Sequence, residues 1–219
     1  MTKKERYQFV TNYFLSHAPD AETELKYENP YQLLVSVILS AQCTDMRVNK
    51  TTPQIFLKYP DISSLSHTTF DELFPLVKSI SYPNNKSKHL IGMARMVMND
   101  FGGQIPMKVE DLIKLPGVGR KTANVVTSVV DKQPNMAVDT HVFRVAARIG
   151  LTNNAKTPLK AEKQLTKNFP KELIRTAHHW LILHGRYVCV ARRPKCELCG
   201  LKTGCKYYNT IMKQIINKF

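Results

Sequence analysis

An all-α fold is predicted by three features of the chain. Apolar residues recur at three- and four-residue spacing, two-residue alternation is nowhere sustained, and caps, prolines and glycines recur at helix-length intervals. Tyr7, Val10 and Phe14 mark one face of a first helix. Asn29-Pro30 supplies an N-cap followed by proline at the first helical position and launches YQLLVSVILSAQ. That segment is apolar nearly all round, which predicts a buried central helix. Thr69 and Glu72 form a capping box opening DELFPLVKSI, and a helix beginning near Asn85 ends at Gly102-Gly103. A helix from about Val109 must stop near Pro116, and a new one starts directly after Gly117 and Gly119. Asp139 caps THVFRVAARIG, Thr157-Pro158 starts a helix that Pro170 breaks, and KELIRTAHHWLILHGRYV leads into a cysteine-rich segment. No repeat, low-complexity stretch or long flexible linker interrupts this order.

The chain has 219 residues, enough for one large domain or two small ones, and 43% of them are hydrophobic, ample for a packed core. Its formal net charge of +15 points to a polyanionic partner. The excess is concentrated: from residue 186 onward, Arg186, Arg192, Arg193, Lys195, Lys202, Lys206, Lys213 and Lys218 face Glu197 alone. An acidic membrane surface fits less well, because no strongly amphipathic basic helix is evident. The N-terminus lacks an apolar secretory core, and no run approaches the ~18 apolar residues that span a bilayer. A soluble protein of the cytoplasm is therefore expected.

Four cysteines, Cys189, Cys196, Cys199 and Cys205, are spaced C-x6-C-x2-C-x5-C, close enough in sequence to surround one metal centre. The lysines and arginines of the same loops would favour thiolate and polyanion alike. Structural zinc usually takes two C-x2-C knuckles and only one is present, whereas iron–sulfur clusters accept irregular spacing; spacing alone leaves both open. Disulfides fit poorly, since the fifth cysteine, Cys43, leaves an odd count and a reducing interior is expected.

The middle of the chain reads LPGVGRKTANVV, a helix-hairpin-helix. Gly117 and Gly119 permit a tight turn with positive φ, leaving backbone N–H groups at a helix N-terminus directed at a DNA phosphate, with Arg120 beside them. An ordinary helix–helix corner has the same signature. Lys121 follows in the first helical turn, where the macrodipole and partial desolvation are expected to lower its pKa and make it a nucleophile toward a sugar aldehyde. A surface lysine is the plain alternative, as a simple cap is for Asp139.

These motifs together resemble the bacterial endonuclease III family, iron–sulfur DNA glycosylases of base excision repair. The resemblance extends over essentially the whole chain and is carried by LLVSVILSAQCTD, LPGVGRKTANVV, VDTHVFRV and HHWLILHGRYVC with the cysteines after it. It implies two all-α lobes with DNA in the cleft between them. Residues 23–133 would form a helical-barrel lobe with the helix-hairpin-helix; residues 1–22 and 134–219 would form an iron–sulfur cluster lobe with its cluster loop at 189–205. It implies Lys121 as Schiff-base nucleophile, Asp139 as the essential carboxylate, and Cys189, Cys196, Cys199 and Cys205 as ligands of a [4Fe-4S] cluster. The implied reaction removes an oxidised pyrimidine and cleaves 3′ to the abasic site by β-elimination. The partner is double-stranded DNA with damaged bases or abasic sites, met by a nucleoid-associated cytoplasmic monomer, with Lys195 among its backbone contacts.

Gln42 matches a position that the family uses to enter the duplex. At SISYPNNKSKHL the chain departs, placing Tyr82, followed by Pro83, where the family usually has an aliphatic wedge. A tyrosine can stack between bases. Related adenine glycosylases carry an aromatic there, but Lys121, Asn124 and the lack of a recognition domain after the cassette oppose that reading. His141, His178 and His179 are expected to be structural. Three functions remain compatible: a bifunctional glycosylase and lyase, a monofunctional mismatch glycosylase, and a DNA-binding module without chemistry; Lys121 with Asp139 speaks against the third.

Overall fold

The computed structural model describes residues 1–216, and no strand occurs among them. The helices are α1 Lys3–His17, α2 Pro30–Ser40, α3 Asp45–Lys58, α4 Ile62–Ser66, α5 Phe70–Val77, α6 Pro83–Asp100, α7 Val109–Leu112, α8 Arg120–Val130, α9 Thr140–Ile149, α10 Pro158–Asn168, α11 Ile174–Tyr187 and α12 Lys206–Ile216. Their starts are chemically marked. Asn29 accepts from the Gln32 N–H at 3.0 Å ahead of Pro30, and Thr2–Glu5 and Thr69–Glu72 form reciprocal capping boxes. Helix α6 begins at Pro83, two residues before the expected Asn85. The chain turns at Tyr82 in the left-handed region, where proline's fixed φ can open the helix.

The chain divides into two compact units, one of Glu24–Lys132 and one of Met1–Thr23 with the chain from Gln133 onward. In the first, α2 is the central helix and packs on α3, α6 and α8. Leu33, Leu34, Val35 and Leu39 are fully buried, as a helix apolar nearly all round requires.

The second unit is built around Trp180 of α11, which stacks on Phe14 of α1 at 5.4 Å and donates its indole N–H to Ala18 O at 2.7 Å. Tyr7 packs edge-on against Phe169 and donates its hydroxyl to Leu151 O at 3.0 Å, so α1 closes onto the later helices. Helices α9 and α11 cross at Gly185, where a Cβ would lie 2.9 Å from His141 Cβ; only glycine permits that approach. His178 and His179 are buried in α11, and burial, helped by Arg175 and Arg186, lowers the His179 pKa to about 4, leaving it neutral at physiological pH. Among the described residues no helix is long and apolar enough to cross a membrane.

Candidate active site and metal centre

The hairpin lies in the Glu24–Lys132 unit. Its first helix is a single turn, after which Leu115 donates to Leu112 O at 3.1 Å and Val118 to Leu115 O at 3.0 Å. Gly117 takes φ +78°, and a Cβ there would sit 2.8 Å from His89 Cβ, so both backbone and space demand glycine. Gly119 corrects the expectation of two left-handed glycines: its φ is −92°, extended, and nothing lies within 4 Å of a Cβ built on it. Nothing among the described residues therefore requires Gly119 to be small. It is the N-cap of α8, and no side chain caps that helix start. Arg120 follows, exposed, and Lys121 is half-buried in the first turn, anchored by the buried Thr122, Ala123 and Asn124.

Asp139 belongs to the other unit. Its Oδ1 accepts from the Val142 N–H at 2.8 Å as the N-cap of α9, while Oδ2 lies 3.2 Å from His141 Nδ1. Both carboxylate oxygens are thus held, and the side chain is only 18% exposed. An amine in a first helical turn can add to an electrophilic sugar carbon, and a fixed carboxylate can stabilise the positive charge that develops there.

Gln42 and Tyr82, the two residues expected to enter a duplex, both occupy left-handed turns, at φ +53° and +56°. Both side chains are exposed, Tyr82 by 62%. Left-handed backbone is disfavoured for any residue with a side chain, and doubly for Tyr82, because Pro83 pushes its predecessor toward extended conformations.

The four cysteines of the cassette line one pocket of about 350 Å³, counting its open mouth, together with Ile149, His184 and Leu201. The chain enters where His184 O accepts the N–H groups of Val188 and Cys189, and two 3₁₀ turns, Cys196–Leu198 and Lys202–Gly204, set the remaining thiols. Burial pushes the Cys199 and Cys205 thiols up, and the neighbouring cysteines add to it. Such sulfurs give up their protons when a metal takes their place. Among the described residues, no three His, Cys, Asp or Glu side chains converge on a single ion. The thiols surround a volume rather than a point.

Cations also meet this pocket from outside the cassette. Arg148 lies 3.6 Å from Cys189 Sγ and donates to Val190 O at 2.7 Å and Ala191 O at 2.8 Å, and Arg144 donates to Cys189 O at 3.2 Å and Gly185 O at 2.8 Å. Sequence reasoning missed both, because their partners are backbone carbonyls remote in sequence. Arg192, Arg193 and Lys195 are exposed.

The family described as HhH-GPD superfamily base excision DNA repair protein matches residues 35–171, a span that includes the second half of α2, the hairpin, Lys121 and Asp139. A curated endonuclease III of Rickettsia felis is 45% identical over 90% of this chain and 92% of its own. The chain belongs to the endonuclease III family. The Escherichia coli endonuclease III is 37% identical over 94% of the chain and 97% of its own. Among solved structures, a trapped endonuclease III–DNA covalent intermediate superimposes with TM-score 0.92 at 40% identity, covering 97% of this chain and all of that one. A thermostable thymine-DNA glycosylase superimposes with TM-score 0.83 at 27% identity, covering 94% and 98%. This endonuclease III homologue is accordingly a base excision repair DNA glycosylase, from a family characterised by iron–sulfur proteins.

Proposed function

We propose that the enzyme is bifunctional, excising oxidised pyrimidines and then cleaving the strand through a lysine Schiff base. The observation that carries this reading is Lys121, an amine in the first turn of α8 directly after the hairpin. The damaged nucleotide leaves the stack, since its C1′ is unreachable within a duplex. The neutral Lys121 Nζ attacks C1′, the glycosidic C–N bond breaks, and the base departs with a proton. Asp139 opposes the positive charge on the sugar as this happens. Ring opening gives an imine between Nζ and C1′. Loss of the C2′ proton then expels the 3′ phosphate by β-elimination and leaves the lysine to be freed by water.

The backbone N–H groups of the turn at Gly117 and Gly119, with Arg120, hold a phosphate, and Lys195 adds a further backbone contact. Gln42 and Tyr82 occupy the space that the displaced nucleotide vacates. Cys189, Cys196, Cys199 and Cys205 hold a [4Fe-4S] cluster, a reading supported by the four thiols lining one pocket. Held by these thiolates, such a cluster would fasten the basic loop, which Arg144 and Arg148 brace from α9. We infer a monomer that acts in the cytoplasm at the nucleoid.

Duplexes carrying thymine glycol, 5-hydroxycytosine, an abasic site, or adenine opposite 8-oxoguanine separate the possible activities. Strand cleavage at the first three and none at the last is expected. Base release without strand cleavage would replace this proposal with a monofunctional glycosylase. The aromatic Tyr82 and the similarity to a thymine-DNA glycosylase keep that second reading in play. Affinity for undamaged duplex should fall steeply with salt, and Lys195→Glu should flatten the logarithmic slope by roughly one to two units. Fluorescence anisotropy titrations across salt concentrations measure this; a slope unchanged in Lys195→Glu would remove Lys195 from the interface, and a salt-independent constant would count against the DNA reading.

A further inference from the structure

Lys86 is a lysine only 5% exposed, one turn into α6. Its Nζ donates to Leu39 O at 2.8 Å and Ala41 O at 2.6 Å, carbonyls at the C-terminal end of α2 that have no partner further along that helix. Its backbone N–H donates to Tyr82 O at 3.1 Å. The side chain therefore ties down the carbonyl immediately before Gln42, while the main-chain N–H makes the ordinary first-turn helix bond to Tyr82 O, so the Lys86 side chain links the end of α2 to the turn that opens at Tyr82. Gln42 and Tyr82 are both exposed and left-handed, a conformation that side-chain-bearing residues keep only where the surroundings impose it.

We propose that Lys86 is a positioning residue that locks the Gln42 and Tyr82 turns into the one arrangement in which both side chains enter the duplex. The inference rests on the reading that Gln42 and Tyr82 do so. Lysine suits the task because an ammonium offers several donors from one atom, so a single group reaches two carbonyls, and a cation favours the negative end of a helix. Burial lowers the Lys86 pKa, the cost of placing a charge there, and the neighbouring Cys43 works against that shift. A solvent-facing lysine would keep the main-chain bond to Tyr82 O but would leave the two α2 carbonyls without their donor. Without Lys86, Ala41 O and Leu39 O lose their donor and the turn at Gln42 is free to relax out of its left-handed state.

The test compares two substrates that differ in whether strands must be parted. On a duplex with thymine glycol opposite adenine, Lys86→Met should lower kcat/KM by about 10-fold to 100-fold, the usual penalty for misplacing groups by an ångström. Borohydride trapping on a single-stranded abasic site, where nothing is displaced, should stay within about twofold. In a Gln42→Ala/Tyr82→Ala background, adding Lys86→Met should cost less than about twofold on the duplex, because nothing is left to position. If Lys86→Met does not fold, Lys86→Arg is read on the same substrates, since it keeps the charge but not the compact tetrahedral reach, and a smaller split of the same sign is expected. Equal losses on both substrates, or a Lys86 effect undiminished in the double-alanine background, would overturn the positioning role alone. A double-alanine protein as active on the duplex as wild type would remove the reading of Gln42 and Tyr82, and the role of Lys86 with it.

Discussion

Lys121→Gln is expected to abolish the borohydride-trapped protein–DNA adduct on both abasic and oxidised-base duplexes, with loss on the order of 10³-fold or more in strand cleavage. Glutamine keeps the length of the side chain near the backbone and can still hydrogen-bond, but its amide nitrogen has no lone pair for C1′. Lesion binding should therefore persist, since the hairpin N–H groups and the basic loops are untouched. Asp139→Asn forms the informative contrast. Asparagine caps a helix about as well as aspartate, so the Val142 N–H keeps its acceptor and the fold should hold to within about 4 °C in melting temperature. What is lost is the charge that opposes the cationic sugar, for about 10²-fold to 10³-fold in base excision. Cleavage at a preformed abasic site should suffer less, because no base has to leave. A wild-type rate of adduct formation in Lys121→Gln would show that another amine is the nucleophile.

The second large effect is expected at the thiol pocket. Protein purified with its metal should be yellow-brown with about four irons per chain, and Cys199→Ser should lose the colour and much of the soluble yield. Cys199 is well placed for a large effect, since it lies in the pocket wall with His184 Nε2 at 3.6 Å and its thiol is buried enough to resist ionising alone. Cys43 lies outside that pocket, so Cys43→Ser should keep both iron and colour. Equimolar zinc in a colourless, fully active preparation would overturn the cluster assignment; metal analysis beside the absorption spectrum decides it.

Local chemistry explains which parts of the molecule could be read from the sequence. Helix α2 was legible because its cap, its proline and its all-round apolarity agree. Helix α3 was not: Pro53 lies within it, and two of its buried residues are Thr51 and Thr52, which do not register as an apolar stripe. The left-handed turn at Gly117 follows from its residue type, whereas the extended Gly119 shows that a glycine does not declare which of its freedoms is used. The capping role of Asp139 was visible in VDTH, as was the grouping of four cysteines. Lys86, Arg144 and Arg148 were not legible, because each makes its contacts mainly to backbone carbonyls remote in sequence, and a carbonyl leaves no mark on composition. A lysine on an α6 surface and a lysine clamping the end of α2 look the same in a string of letters.

Helix α9 has ten residues, a rod about 15 Å long. Asp139 caps one end, while Arg144 at its middle and Arg148 near its far end grip the backbone of Cys189, Val190 and Ala191. Gly185 clamps the same rod against α11. The helix is thus a strut with the carboxylate at one tip and the thiol loop fastened near the other. If the thiols hold the proposed iron–sulfur cluster, an iron-starved cell would face more than a shortage of folded enzyme. Chains that kept their shape without metal would hold the strut by one fewer anchorage, and the accuracy with which a charge meets a breaking bond would come to depend on the supply of iron.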